Sequence, residues 1–215
     1  SAIVEEFARS IDKEMDFYIE AASIETFARL FNQDERILVP KIYKELCTSK
    51  VLTMEYVEGI KIDQLDELQE QGLDRSVLAL NGYELLLSQI FEHGFFHADP
   101  HPGNLLALPN NVICLLDFGI MGRLSSGDKD SLADLVVAIV NQKAEDMIEP
   151  ILSLTSHPDH IDGDALKRDL DDFLDHHANR PLKEMNIGSL LQEMFDMVSK
   201  HNLRLHSNLY LMIKA

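Results

Sequence analysis

The chain has 215 residues, 46% hydrophobic and 26% charged, which is typical of a globular protein with a buried core rather than of a disordered one. Its formal net charge of -18 argues against a nucleic acid as partner, because no basic stripe could offset that negative field. Only Cys47 and Cys114 are present, in strand-like segments, so a disulfide framework is not expected and a reducing compartment fits. No run of 18 or more apolar residues occurs, so we expect no membrane-spanning helix within the sequence.

The N-terminal part is predicted to be helical and then to form a hairpin. Apolar residues recur at three- and four-residue spacing over 2–31, which indicates one or two amphipathic helices with a solvated acidic face. The β-branched and apolar runs at 41–46 and 51–57 flank a polar turn, and this pattern predicts two antiparallel strands.

Two helices follow this hairpin. A short acidic helix is predicted to end at Gly72, and a longer helix over 74–93 is predicted to end at Gly94, because glycine is favoured just past a helix C-terminus. The longer helix carries apolar residues on several sides, which predicts a buried helix.

A second hairpin precedes the C-terminal helices. Strands are predicted at 105–108 and 112–116, joined by the turn residues Pro-Asn-Asn. Ser125 and Asp128 have the spacing of a capping box and predict the start of a helix. Beyond residue 145 only helices and loops are expected, so the element order predicts an α+β fold with a mainly helical second half.

The hairpin brings polar residues of one motif together. The motif FFHADPHPGN ends at Asn104, and the tripeptide DFG starts at Asp117, so the outer ends of the predicted hairpin place these two residues side by side. Asp99 lies five residues before Asn104, in a loop that can reach the same patch. Carboxylate and amide oxygens suit Mg²⁺, which fills the rest of its shell with waters and substrate phosphates. A further aspartate can accept a proton or orient an attacking hydroxyl.

Together these residues have the spacing of a kinase catalytic loop and metal site. The pattern His97-x-Asp99-x-x-x-x-Asn104, followed by Asp117-Phe118-Gly119, matches the H-x-D-x-x-x-x-N and DFG signatures of phosphoryl transfer. His97 is expected to be a structural imidazole bonded to the backbone, whereas His101 is ambiguous. The alternative is an Asn- and Asp-rich loop that only caps backbone groups. Six later histidines form no metal-binding spacing and are expected at the surface; they are His157, His160, His176, His177, His201 and His206.

The sequence resembles the UbiB family of atypical, protein-kinase-like proteins. The segments that carry the resemblance are HADPHPGNLL, LLDFGIMGRL, VPKIYKEL with VLTMEYVEG, and EMDFYIEAASIETF. The resemblance implies a catalytic Asp99, Mg²⁺ ligands Asn104 and Asp117, and a helix glutamate, Glu20, that pairs with a nucleotide-binding lysine. It also implies a hinge strand beside the adenine of ATP, formed by Met54, Glu55, Tyr56 and Val57.

The resemblance further implies how the chain is organised. Residues 1–58 are expected to be a remnant of the N-lobe, and residues 59–215 a mainly helical kinase-like C-lobe with short β-hairpins. The stretch before Glu20 holds neither a glycine-rich loop nor a strand lysine, so we expect a fragment that is inactive by itself. The implied cofactors are ATP and Mg²⁺. The implied partners are isoprenoid lipid precursors, quinone-biosynthesis proteins and a membrane surface, with the intact bacterial protein cytoplasmic and peripheral to the inner membrane, or at an organellar membrane in a eukaryote.

Three functions are compatible with the sequence. The first is an atypical kinase or ATPase that supports isoprenoid quinone (ubiquinone) synthesis. The second is a small-molecule phosphotransferase of the aminoglycoside or choline kinase type, whose acidic pocket holds cationic substrates. The third is a non-catalytic scaffold that senses nucleotide, and loss of function in Asp99→Ala with intact nucleotide affinity would favour chemistry over scaffolding.

Overall fold

The computed structural model describes residues 16–158, 161–177 and 187–214. The chain divides into two compact units, the first up to Met121 and the second from Gly122 onward. Both helices and short strands occur, which confirms the predicted α+β class. The expected division into lobes at residue 58 stays a prediction.

The described part of the first unit combines helices with a small sheet. Its helices are α1 (Phe17–Leu30), α2 (Leu65–Glu70) and α3 (Arg75–Leu87), and α3 continues as a π-helical turn over Ser88–His93. Its strands are β1 (Ile37–Leu38), β2 (Ile60–Lys61), β3 (Phe95–His97), β4 (Leu105–Leu108) and β5 (Val112–Leu115), with β6 (Met121–Arg123) at the boundary between the units. The part of the N-terminal helix prediction that covers residues 2–15 lies outside the described residues.

The described part of the second unit is mainly helical. Its helices are α4 (Ser126–Val140), α5 (Ala144–Leu154), α6 (Gly163–His177), α7 (Ile187–Ser199) and α8 (Ser207–Lys214). The capping box at Ser125 and Asp128 is confirmed, because each side chain accepts the backbone N–H of the other residue. Nowhere in the described residues is a helix both long and apolar enough to cross a membrane.

The sheet of the first unit is built around the predicted hairpin. Its strand order is β1-β5-β4-β2, with β4 and β5 antiparallel and Leu105 opposite Leu115. Asn110 and Asn111 form the turn with φ of 64° and 59°, a left-handed conformation that asparagine tolerates better than most residues. The hairpin prediction is therefore confirmed. The outer strands β1, parallel to β5, and β2, antiparallel to β4, were not predicted.

Side chains of the hairpin point alternately to the two faces of the sheet and belong to two apolar clusters. Ala107, Ile113 and Leu115 belong to the main core, together with Phe27 of α1 and Phe118. A second cluster covers the other face of the sheet; its members are Leu106, Leu108 and Cys114, packed against Leu38, Val57, Val112 and Leu116. Both cysteines are free and buried, so they form no disulfide, as the sequence predicted.

The prediction of two regular strands at 41–46 and 51–57 was wrong. The two runs do lie antiparallel, but only single bridges join Ile42 to Met54 and Thr48 to Val51, and a 3₁₀ turn occupies Lys44–Leu46. The reason is that a side chain makes a hydrogen bond that a neighbouring strand would make in a regular β-ladder. The Thr53 hydroxyl donates to the Leu46 carbonyl at 2.9 Å, so that carbonyl does not need a neighbouring strand.

Three smaller predictions were also wrong. The helix over 74–93 is not buried on several sides, because Val77 and Leu80 are exposed. Beyond residue 145 two short strands, Thr155–Ser156 and Arg204–Leu205, form an antiparallel pair. His177 is buried rather than at the surface, in contact with Phe173 of the same helix, where an imidazole contributes mainly apolar ring surface.

Gly59 lies where a side chain has no room. A Cβ atom there would lie 2.6 Å from Leu108 Cδ2 and 3.2 Å from the Ala107 carbonyl oxygen, and Leu108 is buried. We expect Gly59→Ala to lower the free energy of unfolding by about 1–3 kcal/mol, as overpacking does. Gly163→Ala is the matched control, because nothing lies within 4 Å of an added Cβ there. Equal midpoints for both variants in urea unfolding would contradict the prediction.

Candidate functional site

His97 joins the catalytic loop to the end of the hairpin. Its Nδ1 atom accepts the Asp99 N–H at 3.1 Å, and its Nε2 atom lies 2.6 Å from the Asp117 carbonyl oxygen. Because a carbonyl can only accept, Nε2 carries the hydrogen and the ring is neutral. The His97 N–H in turn donates to the Gln89 side chain at 2.9 Å. The expected structural role of His97 is confirmed.

Burial keeps this imidazole neutral. The ring is almost fully buried, and desolvation lowers the pKa of His97 although the Asp117 carbonyl and the charges of Asp117 and Asp99 act to raise it. Protonation would also place a hydrogen on Nδ1 and break the bond from the Asp99 N–H.

Asn104 and Asp117 meet at the outer end of the hairpin. The Leu116 N–H donates to the Asn104 carbonyl at 3.0 Å, which continues the β4–β5 ladder by one residue. The Asn104 side-chain amide donates to Asp117 Oδ2 at 3.1 Å, and the Gly119 N–H donates to Asp117 Oδ1 at 2.8 Å. The predicted proximity of the two residues is thus observed, whereas their role as metal ligands stays a prediction.

Phe118 of the DFG tripeptide is locked in the core. Its ring is fully buried and packs edge-on against Phe27, with ring centroids 5.2 Å apart. Its N–H donates to Glu20 Oε1 at 3.0 Å, across 98 positions of sequence. Helix α1 therefore holds the backbone of the tripeptide directly.

Glu20 and Asp117 make this region anionic. Partial burial raises the pKa of the Glu20 carboxyl, and the Asp117 charge raises it further against the opposing effect of the Phe118 N–H. Within the described residues, no ion pair involves either carboxylate. The predicted pairing of Glu20 with a lysine therefore stays a prediction, and the contact that the structure shows is the one to Phe118.

Asp99 is exposed to solvent on a short loop that is held by internal hydrogen bonds. The His101 N–H donates to the Asp99 carbonyl at 2.7 Å, and the His101 side chain caps the 3₁₀ turn Pro102–Asn104 by accepting the Gly103 N–H at 3.1 Å. The Ala98 N–H donates to the Ile120 carbonyl at 3.0 Å, which anchors the other side of the loop. The backbone is thus held while the Asp99 carboxylate stays exposed.

The predicted hinge residues point in different directions. Met54 packs against the main core, and Val57 packs against the second cluster. Glu55 makes two hydrogen bonds to the backbone of Lys41. Its side chain accepts the Lys41 N–H, and its own N–H donates to the Lys41 carbonyl. Tyr56 is 89% exposed. Their joint role in lining an adenine slot stays a prediction.

The donor set at the hairpin end fits a hard cation. The Asp117 carboxylate and the Asn104 amide carbonyl are oxygen donors of the kind that Mg²⁺ prefers, and Mg²⁺ needs few protein ligands. A cation there would also offset the repulsion between Asp117 and Glu20. Among the described residues no cluster of three or more histidine, cysteine, aspartate or glutamate side chains offers a metal site. No sequence pattern indicates the Glu20–Phe118 and Gln89–His97 contacts, because each joins residues from different elements.

The fold and the site define a class of protein. An α+β unit with a hairpin that carries Asn104 and the DFG tripeptide, preceded by a loop with Asp99, has the architecture of a kinase-like domain. A Mycobacterium tuberculosis protein, Rv3197, solved in complex with erythromycin, shares the fold with a TM-score of 0.59 at 20% identity, over 93% of this chain and 56% of that one.

The sequence comparisons identify the family. Residues 1–151 match the ABC1 atypical kinase-like domain, and residues 170–215 match the UbiB helical domain. The chain therefore belongs to the ABC1 atypical kinase-like family, as the resemblance to UbiB proteins predicted.

Relatives are found in bacteria and plants. An uncharacterized protein in the hydrogenase 1 5′ region of Clostridium pasteurianum is 35% identical over 99% of this chain and 40% of its own length. The chloroplastic proteins ACTIVITY OF BC1 COMPLEX KINASE 3 and 7 of Arabidopsis thaliana are 35% and 32% identical, over 88% and 99% of this chain. The chain spans 27% and 31% of the length of these two plant proteins.

Titration of His97 tests its neutral state. We expect its ring pKa, followed by NMR, to lie below the ordinary value of 6.5. A folded-state pKa that is lower than the unfolded one means that the unfolded chain binds more protons, so the free energy of unfolding falls as the pH drops below about 6.5. His97→Gln, which keeps a donor for the Asp117 carbonyl, should show a smaller loss over this range. A ring pKa above 6.5 would refute the assignment.

Glu20→Gln tests the raised pKa of the Glu20 carboxyl, which burial and the Asp117 charge both raise. The raised pKa means that the folded chain binds more protons than the unfolded one, so this group costs stability as the pH rises through 4.5. Glutamine keeps an oxygen that accepts the Phe118 N–H but lacks the charge. We expect the stability gained by Glu20→Gln, measured by urea unfolding, to be larger at pH 7 than at pH 4. A gain that is the same at both pH values would contradict the raised pKa of Glu20.

Proposed function

We propose that this domain binds Mg²⁺ with ATP and, in the intact protein, acts as an atypical kinase or ATPase. The observation that carries the proposal is the pair Asn104 and Asp117, joined at 3.1 Å at the end of the hairpin, with Asp99 exposed on the preceding loop. Membership of the ABC1 atypical kinase-like family supports the same class of chemistry.

Each residue has a distinct part in this proposal. Asp117 and Asn104 would hold Mg²⁺ through their side-chain oxygens, and Asp99 would orient the attacking hydroxyl or accept its proton. Mg²⁺ with ATP, when bound, supplies the phosphoryl group and neutralises the charge on its oxygens. His97 does not touch the reacting atoms but fixes the backbone of Asp99 and Asp117, so it is a positioning residue.

The second apolar cluster supports binding of a flat base. Leu106, Leu116 and Val57 lie together on the outer face of the hairpin, on the same strands whose ends hold Asn104 and Asp117. The backbone groups of Tyr56 and Val57 make no backbone hydrogen bond within the described part of the chain. An apolar surface beside open backbone donors and acceptors suits a heterocycle such as adenine. This arrangement supports Val57 and the backbone of Tyr56 as the adenine contacts.

The biological role that we propose is supported by the family resemblance alone. Resemblance to UbiB proteins favours support of isoprenoid quinone (ubiquinone) synthesis, with isoprenoid precursors, quinone-biosynthesis proteins and a membrane surface as partners. The chain spans 40% of the length of the Clostridium pasteurianum relative and 27% of that of ACTIVITY OF BC1 COMPLEX KINASE 3, and the residues before Glu20 contain no glycine. We therefore expect weak nucleotide binding and very slow turnover by the 215-residue chain itself.

Calorimetry of ADP binding with and without Mg²⁺ tests the metal site. We expect Mg²⁺ to strengthen ADP binding, and Asp117→Asn to remove this dependence because it deletes the charge that attracts the metal. Asp63→Asn is the matched control, since Asp63 is exposed and lies on the loop before α2. Equal Mg²⁺ dependence in both variants would exclude Asp117 as a ligand.

Asp99→Asn separates chemistry from nucleotide sensing. In a longer protein that carries this domain, we expect the variant to lose about 100-fold or more in ATP turnover, the scale of acid–base contributions. Its ADP affinity should stay within twofold, because Asp99 is not assigned to the metal. Unchanged turnover would favour a scaffold that senses nucleotide without catalysis.

A further inference from the structure

An apolar cavity lies behind the catalytic loop. It measures about 280 Å³ and is lined by residues of α3, the π-helical turn and the inner face of the hairpin. Pro100, the residue after Asp99, and His97 form the wall on the side of the loop. None of the lining residues is acidic or basic apart from His97, which is neutral.

The size and lining of the cavity favour a small apolar occupant. An engineered apolar cavity of roughly 150 Å³ stays dry and binds benzene, so a larger one has room for a single substituted ring or a short branched alkyl group. Leu78 and Leu85 are buried in its wall, and Ile113 closes the side of the sheet. A charged ligand would lose its hydration there without gaining an ion pair.

Gly82 keeps the cavity open at a cost to the helix. It lies inside α3, where glycine is about 1 kcal/mol less favourable than alanine. A Cβ atom at this position would meet only Ile113 Cδ1, at 3.6 Å, which is ordinary van der Waals contact. Neither close packing nor a left-handed backbone therefore requires glycine at position 82.

The cavity is connected to the catalytic loop by a buried polar contact. Gln89 lines the cavity, and its side-chain oxygen accepts the His97 N–H at 2.9 Å. His97 is bonded in turn to the Asp99 N–H and to the Asp117 carbonyl. An occupant of the cavity thus contacts Pro100, which follows Asp99, and Gln89, which is hydrogen-bonded to His97 on the other side of Asp99.

We propose that this cavity is a binding site for an uncharged apolar ligand of the size of one substituted ring, distinct from the nucleotide site. Its occupant restrains Gln89, His97 and Pro100 and so steadies the loop of Asp99. The binding itself does not depend on nucleotide, whereas its effect on phosphoryl transfer rests on the proposed function.

The test uses toluene as probe and methyl NMR of the whole 215-residue chain without nucleotide. We expect saturable shifts of the Leu78, Leu86 and Ile113 methyl signals, with the signals of Leu135 in the second unit unchanged. The His97 ring signals should shift with the same binding curve. Shifts that grow linearly up to the solubility limit of toluene, or that are equal at Leu135, would overturn the proposal.

Cavity-filling variants provide the second arm. Gly82→Leu should weaken toluene binding at least tenfold, and Gly82→Ala about threefold, while both keep the folded spectrum and a midpoint of thermal unfolding no lower than the parent's. Leu80→Ala, on the exposed face of the same helix, is the matched control and should bind as the parent does. If Gly82→Leu unfolds, Gly82→Ala alone decides. Parental affinity in the folded Gly82 variants would overturn the proposal, even where ADP still binds.

Discussion

The site depends on the two hydrogen bonds that the neutral imidazole of His97 makes. One ring accepts the Asp99 N–H and donates to the Asp117 carbonyl, so it fixes the backbone of two residues that lie 18 positions apart. Both bonds lie in or beside the core, where an unpaired backbone group costs about 1–3 kcal/mol. Burial keeps the ring uncharged, and the tautomer is set by its two partners. The side chains of Asp99 and Asp117 remain exposed, although the ring holds the backbone of both residues.

The site is anionic. The chain carries a net charge of -18, and Glu20 approaches the DFG tripeptide without a basic partner among the described residues. Burial raises the pKa of the Glu20 carboxyl and the Asp117 charge raises it further, so a cation placed between the two carboxylates would offset their repulsion. The same acidic field disfavours free phosphates, so a nucleotide would approach such a site as its metal complex. Metal and nucleotide binding are therefore expected to be coupled.

The local features of the fold were predictable, and the long-range contacts were not. The hairpin was predictable from the turn residues Pro109-Asn110-Asn111 between two apolar runs, because turn formation is local. The hairpin in turn predicted that Asn104 lies beside Asp117, because the outer ends of two antiparallel strands are neighbours. The 3₁₀ turn at Lys44–Leu46 was missed because Thr53 satisfies a backbone carbonyl from elsewhere in the chain. Strand β1 has only two residues and pairs in parallel with a distant strand, so no periodicity reveals it. The Glu20–Phe118 contact depends on how α1 packs, which no spacing encodes.

The chain's own contacts hold the residues of the site in place. Phe118 is buried against Phe27 and His97, and its N–H is bonded to Glu20, so the tripeptide is held by packing and by hydrogen bonds together. Asp117 is oriented by Asn104 and Gly119. The Asp99 side chain is exposed and can therefore be changed with a small effect on stability. Changes at His97 or Phe118 alter the fold and the site at once, because each residue is buried and hydrogen-bonded to a residue distant in the sequence.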